Sequence, residues 1–210
     1  NNQLNRDFVL GQAEAYGIMC KIFCSIKTNE CILPEYLSRF YTILLLGLRV
    51  PSNFGDLNIN NEYESGEILG SIIVNGHNLF KLDLDGINVL HLPMLNALYA
   101  VFNLKYPIKE ENIKSDGLKP KELLKSVFHI GFSSISLVEM KRYCIYILSS
   151  FLCLASHLNS LPIYDRDLNP ILNQSFFSLR SKVLEIFLAA ISNEQDTVNL
   201  QMLFGCGRLI

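Results

Sequence analysis

Apolar residues recur along most of this chain at steps of three and four, the spacing that gathers them on one face of a helix. From Phe8 to Ile26, the residues Ala15, Ile18, Met19, Ile22, Phe23 and Ile26 follow that rule and predict a helix with this face inward. The run KTNE breaks the pattern. Pro34 then opens PEYLSRFYTILLLGL, where a first-turn proline sacrifices no helical hydrogen bond. Leu37, Phe40, Tyr41, Leu44, Leu45 and Leu48 form the expected buried side. Pro51 to Gly66 is polar and rich in Asn, Gly and Ser, which predicts a loop. A third helix, from about Glu67 to Val74, stops at Asn75-Gly76, a pair suited to a C-cap.

Pro93 begins a further helix through Phe102, and the charged stretch 105–119, broken by Pro107 and Gly117, predicts an exposed loop. Helices are expected from Pro120 through KELLKSVFHIGF, from Lys141 to Leu158, from Phe176 to Ile191 and from Val198 onward. A loop near 159–173 contains Pro162 and Pro170. The pattern offers no convincing strand, so the predicted class is all-α. Helices joined mostly by short breaks, with little polar surface of their own, point to antiparallel pairs stacked as an α-solenoid. No clean internal repeat is visible, so the expected type is degenerate HEAT/armadillo-like hairpins, with a compact helical bundle as the competing architecture.

Composition sharpens this picture. Of 210 residues, 50% are hydrophobic and 18% charged, which suits a piece whose faces are covered by neighbouring elements. The start NNQLNRDF and the end LQMLFGCGRLI lead us to expect residues 1–210 to form one segment of a larger protein. A net charge of −2 with scattered basic residues gives no nucleic-acid footprint. The cysteines Cys20, Cys24, Cys31, Cys144, Cys153 and Cys206 form no C-x-x-C pair, and most fall in apolar helical patterns. Reduced, buried thiols in a cytoplasmic protein are expected, without a zinc site.

Chemistry-bearing patterns are sparse. LFKLDLDGINVL, Leu79 to Leu90, contains a calcium-loop-like Asp-Leu-Asp-Gly. With Gly86 at the sixth position of such a loop, Lys81 and Leu92 would fall where the terminal oxygen ligands belong. Asp83, Asp85 and Asn88 are therefore expected in a connector, with Gly86 free to take a positive φ and Leu82, Leu84, Ile87 and Val89 pinning it to the core. Tyr143 to Tyr164 runs 22 residues without a charge. His157, Asn159, Ser160 and Pro162 interrupt it, so a buried helix is expected rather than a membrane span. Nucleotide-binding, nucleophile-elbow and HExxH patterns do not occur. His77, His91, His129 and His157 are isolated in sequence. No catalytic, cofactor-binding or metal-ligating residue is expected, and no cofactor; helical, charge-poor segments of this kind serve more often to bind proteins than to transform substrates.

The segment from Ala13 to Leu48 carries a resemblance. Its runs IFCSIKTNE, Ile22 to Glu30, and PEYLSRFY, Pro34 to Tyr41, resemble the alpha subunit of Ral GTPase-activating protein, in the tuberin-related family. The likeness continues through Ile72 to Pro93, with a weaker echo at Phe176 to Ile191 and Asn199 to Gly205. The loop from Pro51 to Gly66 departs from the family pattern, and Ile135 to Asn173 shows no match. The resemblance implies a non-catalytic, HEAT-like scaffold that supports assembly with a beta subunit. It also implies that the activating domain, which offers an asparagine to the GTP site of a small Ral-type GTPase, lies elsewhere in the parent protein. The alternative is an unrelated helical adaptor in trafficking or transport.

Overall fold

The computed structural model describes residues 2–25, 32–48, 62–82, 84–103, 127–130, 133–153, 160–164 and 168–209. The chain is mostly helical. Its elements run α1 (Asn2–Phe23), α2 (Pro34–Gly47), α3 (Glu62–Asn75), α4 (His91–Phe102), α5 (Leu137–Leu152), α6 (Phe176–Asn193) and α7 (Thr197–Cys206). Two antiparallel ladders interrupt them: β1 (Val127–Ile130) with β2 (Ser133–Ser136), and β3 (Pro162–Tyr164) with β4 (Pro170–Ser175). These ladders correct the strand-free expectation. Short apolar runs such as VFHI fit a strand as readily as a helix, and length decides between them. The expected helix from Pro120 is replaced at 127–130 by β1, while 120–126 lie outside the described residues. The expected loop near 159–173 contributes both strands of the second ladder.

Helices alternate in space. α1 packs along α3, α3 touches α5, and α5 packs along α7. On the other side α2 meets the 3-10 turn Ile87–Leu90 that leads into α4, and α4 packs along α6. A continuous core runs through both sets, with Phe40, Leu44, Ile72, Leu79, Leu90, Leu98, Met140, Leu148 and Ile186 enclosed. Of the expected loop from Pro51 to Gly66, residues 62–66 belong to the first turns of α3, and 51–61 lie outside the described residues, as do the loop 105–119 and residues 154–159.

The inward face of α1 differs from the expected one. Val9, Ala13, Gly17, Cys20 and Cys24 are buried, while Ala15, Ile18 and Ile22 are exposed and Met19 and Phe23 are half-buried against the core. The buried residues are small because α3 approaches closely. A Cβ on Gly17 would lie 2.7 Å from the Ser71 Oγ and 2.8 Å from the Asn75 Nδ2. The Ser71 hydroxyl donates to the Ala13 carbonyl, and the Asn75 amide donates to the Ser71 carbonyl. Contacts advance together along both helices, from Ala13–Ser71 to Cys20–Gly76, so α1 and α3 run parallel.

α2 matches the expected pattern: Pro34 starts it, and Leu37, Phe40, Tyr41, Leu44 and Leu48 are buried, with Leu45 packed at the core margin. Ser136 and Glu139 form a capping box at the start of α5, each side chain serving the other's backbone N–H.

Two glycines of α1 give opposite expectations. Gly17→Leu forces its side chain into α3 and is expected to cost about 2 kcal/mol or more by overpacking. Gly11, around which an added Cβ meets nothing within 4 Å, is expected to tolerate Ala with a gain of about 0.5–1 kcal/mol from helix propensity. Urea midpoints of the two variants check the contrast.

Candidate functional site

The connector from Leu79 to Leu90 behaves as its residues require. Gly86 adopts φ +74° in the left-handed region, where L side chains are strained. The Tyr41 hydroxyl donates to the Asp85 carbonyl at 2.9 Å and ties the connector to α2. Leu82, Leu84, Ile87 and Val89 pack against the core; Asp83 lies outside the described residues. Burial, with Asp85 next, raises the Tyr41 phenol well above its usual value. Between α2 and this connector lies a shallow, open hollow of about 210 Å³, walled by Pro34, Leu37, Tyr41, Val89 and Leu168. Among the described residues no group of three His, Cys, Asp or Glu side chains could hold a metal ion.

Burial drives several of the buried titratable groups toward their neutral forms. Burial raises the Cys24 thiol to about 12 and pushes Cys20, Cys144 and Cys206 upward as well. Such thiols stay protonated and are poor nucleophiles. Cys153 is exposed, and Cys31 lies outside the described residues. His91 is enclosed by Phe80, Phe151 and Phe176, with ring centroids 5.0–5.7 Å away. Burial there lowers its imidazole to about 4. His77 donates from Nδ1 to the Val74 carbonyl at 2.7 Å and packs on the rings of Tyr143 and Tyr146. His129 sits in β1, where only the backbone is described, and His157 lies outside the described residues.

Polar side chains are spent on holding helices together. Asn199, fully buried in α7, donates to the Val138 carbonyl at 3.0 Å and to the Glu194 Oε2 at 3.3 Å, and accepts from the Arg142 Nε at 3.2 Å. Arg142 also reaches Asp196, whose Oδ1 caps α7 by accepting from the Asn199 backbone N–H. Glu194 accepts from the backbone N–H groups of Gln195 and Asp196. This lock fastens the start of α7 to the start of α5. Sequence spacing hides it, because its members lie more than fifty residues apart. Lys141, the expected first residue of this helix, is instead fully buried within α5, and burial lowers its ammonium to about 8.

No helix among the described residues is long and apolar enough to cross a membrane; α5 ends at Leu152, short of the uncharged run's end.

These features define a mostly helical segment with a polar lock between α5 and α7. No family model matches the chain, and no solved structure matches it. It is similar to the human Ral GTPase-activating protein subunit beta, with 33% identity over 200 residues, 95% of this chain and 12% of that protein. The rat and mouse proteins of the same name are 28% identical over 200 residues, covering 95% of this chain and 10% of each. The chain thus spans about a tenth of the length of these curated relatives. One expectation is corrected: the similar subunit is beta, not alpha.

The pH dependence of stability follows from His91. Its folded value lies below the ordinary 6.5, so between about 6.5 and 4 the unfolded chain binds a proton that the folded chain does not. Stability present at neutral pH is therefore lost as pH falls through that window, by up to about 3 kcal/mol from this residue. Comparing urea unfolding at pH 7 and pH 4.5, His91→Leu is expected to show a visibly smaller loss than the natural chain; equal losses would contradict the assignment.

Proposed function

We propose that this chain is a non-catalytic scaffold segment of a Ral GTPase-activating protein subunit of the beta type, built as an α-solenoid. The 33% identity over 95% of the chain carries this reading. The alternation of helices supports the architecture: α1, α3, α5 and α7 follow one another on one side, α2, α4 and α6 on the other. Stacked helices of this kind form a stiff, extended surface that can dock a large partner.

In this role the segment supports assembly with the companion subunit and positions an activating domain that lies outside it. The beta-subunit partner expected from the alpha resemblance gives way to the counterpart of a beta-type subunit. A Ral-type GTPase is engaged by the assembled complex, in the cytoplasm, where the buried thiols stay reduced. The segment is no enzyme and takes no cofactor.

Single-turnover GTP hydrolysis by purified Ral checks the division of labour. The 210-residue chain alone, at equimolar concentration, is expected to leave the rate unchanged. Deleting the segment from the full-length subunit is expected to lower activation by at least tenfold through lost assembly. Acceleration by the isolated chain would overturn the scaffold role.

A further inference from the structure

A helix of α1's length turns about 100° per residue, so its sequence maps directly onto its faces. Val9, Ala13, Gly17, Cys20 and Cys24 cluster on the side that meets α3. Tyr16, Met19 and Phe23 are the half-buried flank, and Phe23 stacks on Phe40 of α2 at 4.3 Å. A third group, Phe8, Gly11, Ala15, Ile18 and Ile22, recurs at steps of three, four, three and four, and falls diametrically opposite the α3-facing stripe. It is open to solvent: Phe8 is 64% exposed, Ile18 48% and Ile22 55%. Asp7 and Lys21, both exposed, mark the polar side, opposite α2.

A helix that needs only one neighbour in its row has no use for apolar stripes on two opposite sides. α3 shows what two stripes serve, for it lies between α1 and α5. The outward stripe of α1 also has the composition of a helix seat. Its centre is small, with Gly11 and Ala15 in the open, and its ends are large, as a closely crossing helix requires. Among the described residues, α3 and α4, in the middle of the arrangement, expose no large apolar side chain, whereas the helices toward its two ends, α2, α6 and α7, do so as α1 does.

We infer that the side of α1 facing away from α3 is the docking seat of a further amphipathic helix, lying alongside α1 as α3 does and supplied by the same full-length polypeptide. The relatives' length favours a helix in cis: the matched segment is about a tenth of each, leaving ample polypeptide to provide it. The inference rests on the stacked arrangement proposed above and is independent of the GTPase-activating role.

Maleimide labelling with site-by-site mass readout tests it. Ile18→Cys and, as a polar-face control, Lys21→Cys are placed in the 210-residue chain and in the full natural polypeptide. In the short chain both thiols are expected to label at the rate of exposed cysteine. In the full polypeptide, Ile18→Cys is expected to slow at least tenfold while Lys21→Cys does not, and the protection is expected to survive hundredfold dilution. Equal labelling of Ile18→Cys in both contexts would overturn the inference. Protection lost on dilution would also overturn it, by assigning the seat to a second copy or another subunit. Rapid labelling of native Cys20, on the α3-facing side, would sink the stacked arrangement itself. None of these readouts depends on Ral hydrolysis, so failure here and failure of the proposed function are separable.

Discussion

The structure depends on how closely α1 and α3 approach. Backbones can come this near only where side chains are small, and α1 supplies Ala13, Gly17 and Cys20 along the contact. Close approach leaves little room for water, so polar groups in the seam must find partners within it. Ser71 and Asn75 do so, the first on the Ala13 carbonyl and the second on the carbonyl of Ser71. With α1 fixed parallel to α3, α2 is left to pack across the other side through Phe40 and Tyr41, and Tyr41 in turn anchors the turn that launches α4.

The same constraint explains which parts of the fold were legible in the sequence. α2 was, because Pro34 marks its start and its buried residues are large and unambiguous. The Asn75-Gly76 stop and the positive φ of Gly86 were legible for the same reason: each residue type has one strong local use. The buried face of α1 was not. Hydrophobicity points to Ile18 and Ile22, whereas size selects Gly17 and Cys20, and in a tight helix pair size wins. The S-x-x-E signature at Ser136 was passed over: the helix was expected from Lys141, whereas the capping box starts α5 at Leu137. The β1–β2 ladder and the Asn199 lock were hidden because they are made by pairing between segments, which periodicity within a segment cannot express.

Much the same holds for function. His91 and most of the thiols are enclosed by apolar side chains and driven toward their neutral forms. The polar lock at Asn199 spends Arg142, Glu194 and Asp196 on geometry. These contacts fix α5 and α7 relative to one another, as the scaffold role proposed above requires. The chain's similarity to subunit beta of Ral GTPase-activating proteins supports that proposed role.

The parallel α1–α3 seam is open to a direct chemical measurement. In the chain carrying Gly17→Cys and Ser71→Cys, mild oxidation with oxidised glutathione should join the two positions within one molecule, because a Cβ at residue 17 lies 2.7 Å from the atom a thiol at residue 71 replaces. Peptide mapping is expected to show near-complete 17–71 linkage and none for Gly11→Cys with Ser71→Cys. No 17–71 linkage, or equal linkage from position 11, would contradict the account.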